Sequence, residues 1–220
     1  MTDRSDGARQ ATVAELVLAS DPERWSDAGF RVIDGATRVG SVMLRFAGPD
    51  AGRRVVRCAL RGIGSDGLDG LPVVRSDAPF DRSPIEPQPN GIMRIDHLVA
   101  FTPDLERTVA AGQAAGLDLR RVRDEPAPAG SPRQAFFRLG ELMLEVAQAP
   151  EGSPLSGDAP ARFFGLAFVV DDLDAAATAL GDLLGLPRDA VQPGRRIATI
   201  RKDAGLGLPV ALMTPRPEAI

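Results

Sequence analysis

His97 is the one histidine of the chain, and it stands in "RIDHLVAF", a run that otherwise reads as an apolar strand. Glu145 interrupts a second apolar run, "LMLEVA". Alternate side chains of a strand share a face. Ile95, His97, Val99 and Phe101 are therefore expected on one side of the first run, and Met143, Glu145 and Ala147 on one side of the second. A carboxylate in such a strand needs a partner, because burying it unpaired is costly. His97 is a natural partner for Glu145, and arginines on neighbouring strands compete for it. Three chemistries are open to the pair: a structural hydrogen bond, a metal-free acid–base or ligand-orienting pair, and part of a metal site. The protonation state of the imidazole is not fixed by sequence, since a nearby carboxylate and burial act on it in opposite directions.

Other chemistry-bearing residues read as structural. Cys58, the single cysteine, sits in "VVRCAL" as a small buried hydrophobe; it allows no intrachain disulfide and no thiolate zinc site. "GLGLP" lacks the third glycine and following helix of a dinucleotide loop, and "GIGSDGLDG" lacks the acidic spacing of a calcium loop. No G-x-S-x-G elbow, phosphate loop or HExxH is present. Trp25, beside Ala28 and Phe30, reads as core. The arginine groups Arg53/Arg54/Arg57, Arg120/Arg121/Arg123 and Arg195/Arg196/Arg201 read as solvated strand faces and hairpin rims. A net charge of −4 offers no overall basic excess for nucleic acid. No stretch reaches the roughly 20 apolar residues of a membrane span, and the polar start "MTDRSDGARQ" has no apolar leader core, so a cytoplasmic protein is expected.

The elements that must position His97 and Glu145 occur twice. "HLVAFTPDLERT" and "GLAFVVDDLDAA" each run from an apolar strand through an acidic turn into a helix, with Leu105 and Leu173 at matching distances. "AAGLDLR" and "LLGLPRD" place Gly-Leu at the two helix ends. Asp104 and Asp171/Asp172 supply carboxylates for the helix starts. "QAFFRL" and "LMLEVA" follow in the first copy, "RIATIR" and "PVALMT" in the second. A fainter copy lies upstream, in "AELVLASDPERWSDAGFRV" and "GSVMLRFA", followed by an extra strand, "RRVVRCALRGI". Each unit reads β-α-β-β-β.

With two copies agreeing in order and spacing, the sequence resembles the vicinal oxygen chelate superfamily, the glyoxalase/bleomycin-resistance/dioxygenase group. The resemblance covers about Ile92 to Pro215 and, more weakly, the N-terminal unit. It implies an α+β fold, with paired βαβββ units forming a curved-sheet cup, preceded by a third, degenerate βαβββ-like unit. The expected division is an N-terminal unit at 11–70, a loop or linker at 71–91, and a glyoxalase-like domain of two units at 92–149 and 161–215. The N-terminal unit is expected either to cap the pair or to join a homodimer. In metal-using members the ligands come from the first and last strands of each unit. The matching positions here are His97, Glu145, Gly165 and Met213, with Ala14 or Glu15, and Arg45, in the upstream copy. Only His97 and Glu145 suit a cation, and a catalytic divalent ion normally takes three protein ligands; a further one would have to come from Glu141 or a loop acid. No cofactor is expected, a divalent metal being the alternative. The implied function is binding of a small, largely apolar molecule in the cup, with His97 and Glu145 as the catalytic candidates and Phe101, Phe137, Met143, Phe168 and Met213 as the ligand-contacting ones. The alternatives are a metal-dependent lyase or ring-cleaving dioxygenase using His97, Glu145 and an unidentified ligand, and a non-catalytic interaction scaffold.

Overall fold

A computed structural model describes residues 10–81, 83–84, 86–124, 133–150 and 152–217. In chain order the elements are β1 (Thr12–Leu18), α1 (Pro22–Asp27), β2 (Ala36–Val39), β3 (Val42–Phe46), β4 (Val55–Arg61), β5 (Val73–Arg75), β6 (Ile92–Thr102), α2 (Leu105–Ala114), β7 (Asp118–Arg123), β8 (Gln134–Leu139), β9 (Leu142–Gln148), β10 (Arg162–Val170), α3 (Leu173–Leu180), β11 (Arg188–Asp189), β12 (Arg196–Thr199) and β13 (Val210–Met213).

The two C-terminal units form one eight-stranded sheet, in the order β11-β12-β13-β10-β6-β9-β8-β7. The first and last strands of each unit pair in parallel, β6 with β9 and β10 with β13, while β6 and β10 pair antiparallel at the join. Helix starts agree with the sequence in detail. Asp104 caps α2 by accepting from the Arg107 N–H at 2.9 Å, and Asp172 caps α3 by accepting from the Asp174 and Ala175 N–H groups. Leu105 and Leu173, the first residue of each helix, are buried. The helix stops differ between the copies. Gly116 follows α2 at φ 85°, but in the second unit Gly181 rather than Gly185 takes the positive φ, and a 3₁₀ turn intervenes.

The N-terminal sheet has five strands in the order β2-β3-β1-β4-β5. It is a shortened version of the larger sheet. β1 pairs parallel with β3 and antiparallel with β4, and β4 pairs parallel with β5. The extra strand "RRVVRCALRGI" thus occupies the place of a second unit's first strand, and β5 that of its last, with no helix between them. β5 falls inside the segment 71–91 expected to be loop.

This sheet caps the paired units within the same chain. Trp25 of α1 is fully buried, donates its indole N–H to Ser20 Oγ at 2.8 Å, and packs with Phe30, Phe46 and, at 6.3 Å between ring centres, Phe168 of β10. The two corresponding hairpins also dock. Glu141 accepts hydrogen bonds from the Ser41 N–H and hydroxyl, both at 2.6 Å. Gly40 beside it sits at φ 60°, a conformation that favours glycine, and an added Cβ would lie 2.5 Å from Glu141 Oε1 and displace that carboxylate. Cys58 lies in the core on β4, and burial pushes its thiol up to about 12. In the native protein it is expected not to react with an aromatic disulfide reagent at pH 8, and to react fully after unfolding; fast native labelling would contradict its burial.

Candidate functional site

β6 departs from simple alternation against β10 at two places, Met93 and Asp96, and the second shapes the site. Ala167 of β10 stands opposite His97, but the next residue, Phe168, stands opposite Ile95, so Asp96 is an extra residue in the ladder. This bulge sends Ile95 into the core with Phe168, contrary to the alternation that would put it beside His97. It also brings Asp96 to His97, with Asp96 Oδ2 2.8 Å from His97 Nδ1. An ionised carboxylate can only accept, so Nδ1 carries the proton and donates it to Asp96. The imidazole is thereby oriented with Nε2 towards Glu145, 3.8 Å from Oε2.

Asp96 is itself anchored by Arg195, which is almost completely buried. Its Nη2 donates to Asp96 Oδ1 at 2.8 Å, Nη1 to Oδ2 at 3.3 Å, and Nε to the Thr214 carbonyl at 2.8 Å. Burial alone would push the Asp96 carboxyl up. Hydrogen bonds from His97 and Arg195, with the electrostatic attraction of both, outweigh it and hold the group well below the usual carboxylate range. On the other side of His97, Glu145 Oε1 accepts from the Gln134 amide, whose Oε1 accepts from Arg123 Nη2. One line of polar groups therefore crosses the sheet from β7 to the start of β12: Arg123, Gln134, Glu145, His97, Asp96, Arg195. Its widest step is the one between Glu145 and His97, whose side chains are also 16% and 15% exposed.

This line runs along a hollow of about 990 Å³. Met143 and Met213, two of the expected ligand-contacting residues, line it together with His97 and Glu145. The other three lie elsewhere. Phe137 and Phe168 are fully buried in the core, on the opposite face of their strands. Phe101 shares the His97 face, but four residues further along β6, about 13 Å away at strand spacing, where it lines a separate hollow. The lining is also more basic than an apolar ligand would need: Arg120, Arg121, Arg123, Arg188, Arg195 and Arg216 surround it. Arg120 pairs with Asp118 and Arg195 with Asp96, whereas among the described residues Arg121, Arg123, Arg188 and Arg216 have no carboxylate within 4.0 Å. Arg123 Nε is buried without any hydrogen-bond partner among them. The arginine runs read as solvated rims are in part the wall of this hollow. Their signal in the sequence was the spacing of Arg121 and Arg123 on one strand face.

The described residues do not by themselves make a divalent-metal site. Gly165 stands beside Val99 where a third ligand would be needed; a Cβ there would lie 2.5 Å from the Pro209 carbonyl. Met213 holds the fourth position, Asp96 is committed to Arg195, and Glu141 is bound to Ser41 on the far hairpin. No cluster of three or more His, Cys, Asp or Glu side chains suited to a metal occurs among the described residues.

The N-terminal sheet carries the same positions with different chemistry. Glu15 pairs with Met43 as His97 pairs with Met143, and Val17 with Arg45 as Val99 with Glu145. Arg57 stands opposite Val17 as Gly165 stands opposite Val99. Glu15, rather than Ala14, is thus the counterpart of His97. Its carboxylate accepts from Arg57 at 2.7 Å and Arg45 at 3.1 Å, and although burial opposes it, these bonds hold it below the ordinary carboxylate value. The hollow here, about 420 Å³, has its charges satisfied internally at its floor.

No family model matches the sequence, and no curated protein matches it. Among solved structures, methylmalonyl-CoA epimerase from Mycobacterium tuberculosis is similar at 19% identity over 58% of this chain and 91% of that one, with a TM-score of 0.46. A variant of the Streptomyces coelicolor epimerase in complex with 2-nitronate-propionyl-CoA is similar at 22% identity over 57% and 99%, also at 0.46. A xylose isomerase-like TIM barrel/4-hydroxyphenylpyruvate dioxygenase fusion protein is similar at 14% identity over 95% of this chain, with a TM-score of 0.58; the chain spans 49% of its length. That likeness extends through both sheets, and the chain has the glyoxalase-like, vicinal oxygen chelate fold.

Proposed function

We propose that the main hollow binds a small anionic molecule and that His97 exchanges a proton with it, without a catalytic metal. The observation that carries this reading is the polar line through His97 and Glu145 set in a wall of arginines. A carboxylate or phosphate entering the hollow meets guanidinium groups lacking a described carboxylate. Asp96 fixes the imidazole tautomer, so the nitrogen facing Glu145 is the one that gives or takes the proton. Glu145, held by Gln134, stands across the gap to receive or return it. Met143, Met213 and Ile197 give the ligand body an apolar floor. The size of the hollow supports ligand binding over a purely structural role, since a side-chain-filled cup would leave no such space.

The test is proton exchange in deuterium oxide. Small 2-oxo acids, whose acidic C–H adjoins a ketone that carries the carboxylate on its other side, are followed by proton NMR. Wild-type protein is expected to speed loss of the C–H signal, and His97→Gln to slow it by about 10²- to 10⁴-fold. Arg123→Gln is expected to raise the substrate concentration needed for half-saturation. If no small anion saturates the protein, or if His97→Gln exchanges as fast as wild type, the reading is wrong.

A further inference from the structure

A second hollow, of about 650 Å³, opens at the seam where the start of β4 meets the start of β10. Three guanidinium groups, Arg53, Arg54 and Arg162, ring it. Among the described residues none of them has a carboxylate within 4.0 Å, although ion pairs are frequent elsewhere on the surface. The floor is aromatic. Phe101 and Phe164 meet edge to face, with ring centres 4.8 Å apart, and Leu155 adds to the apolar wall. Phe164 is brought there by a bulge in β10, between Phe163 opposite Ala100 and Gly165 opposite Val99.

Arg54 is built into this arrangement. Its guanidinium carbon lies 4.6 Å from the centre of the Phe164 ring. Its backbone is held at φ 58°, a conformation that costs a non-glycine residue free energy, and its carbonyl accepts from the Ala19 N–H at 2.7 Å. Burial and the adjacent Arg53 both push this guanidinium down, a penalty that an anion would relieve. A bare phosphate would leave the aromatic floor wet. A neutral hydrocarbon would leave the three cations without a partner among the described residues. A flat aromatic body carrying a carboxylate satisfies both sides.

We propose that the seam hollow is a second binding site, specific for an aromatic carboxylate, whose ring lies against Phe101 and Phe164 while Arg54 and Arg162 hold its carboxyl group. The site is separate from the hollow around His97, and it does not depend on any reaction there.

The probe is 2-naphthoate, measured by equilibrium dialysis against the full chain. An Arg121→Gln/Arg123→Gln/Arg188→Gln/Arg216→Gln background removes from the main hollow the four guanidinium groups that have no described carboxylate. One equivalent is expected to bind per chain. Arg54→Gln/Arg162→Gln is expected to raise Kd about tenfold or more, and the neutral analogue 2-naphthalenemethanol to bind about tenfold more weakly than the acid. Phe164→Ala is expected to weaken binding comparably. Because Arg162 is exposed, Arg162→Gln alone keeps the test valid if a variant at Phe164 fails to fold. The proposal is overturned if 2-naphthoate does not saturate the protein, if the arginine variants bind it unchanged, or if the neutral analogue binds as tightly as the acid.

Discussion

Arg195→Met is expected to cost about 3–5 kcal/mol of folding stability, the usual loss when one member of a buried ion pair is removed. The guanidinium is 1% exposed and its partner carboxylate 6%, so solvent does not replace what is lost. Denaturant unfolding measures the effect. The double variant Asp96→Leu/Arg195→Met should be clearly more stable than Arg195→Met alone, because no buried charge is then left without a partner. It should still lack proton exchange, since the His97 Nδ1 proton has lost its acceptor. Recovery of stability without recovery of chemistry separates the structural role of this pair from its positioning role. The pH dependence follows the same geometry. The folded-state Asp96 carboxyl lies below its ordinary value, so its stabilisation is present above about pH 4 and is lost as pH falls towards the folded value. Arg195→Met should flatten that acid-side slope. An Arg195→Met protein as stable as wild type at pH 7 would show that Asp96 is solvated, not buried.

The fold was legible in the sequence because its signals are local. Period-two strands, carboxylates at Asp104 and Asp172, and glycines after the helices recur in both C-terminal units. The same strand periodicity assigned His97 and Glu145 each to a face of its strand, and the structure sets His97 Nε2 3.8 Å from Glu145 Oε2. What stayed hidden depended on contacts distant in sequence or on breaks in that periodicity. Simple alternation would put Asp96 on the strand face opposite His97; the bulge that brings the two side chains together is set by pairing with β10, about seventy residues away. Arg195 carried no mark distinguishing it from Arg196, yet Arg195 is buried against Asp96, and Arg196 pairs with Asp174 on α3. β5 was missed because a three-residue strand lies inside a stretch rich in Pro and Asp. Among the phenylalanines, sequence gave no means to tell core from hollow, because both are apolar.

Phe168 is where that distinction has its largest expected consequence. Phe168→Ala should destabilise the protein by about 3–5 kcal/mol, the range for emptying a buried phenylalanine site. In a chain of this size that corresponds to a fall in Tm of about 10 °C. The ring is fully buried, 5.5 Å from Phe30 and 6.3 Å from Trp25, so it joins the N-terminal sheet to the paired units. Phe101→Ala, at a partly exposed ring in the seam hollow, should cost much less, a contrast that a ligand-contacting role for both residues would not produce. The cavity would also reach the site. Phe168 stands opposite Ile95, immediately before the Asp96 bulge, so collapse of the core there moves the backbone that sets His97 against Glu145. Proton exchange should therefore fall in Phe168→Ala even at temperatures where the variant remains folded. Phe168→Leu, which refills most of the volume, should restore both stability and exchange. Equal melting temperatures for Phe168→Ala and Phe101→Ala would contradict the placement of Phe168 between the two sheets.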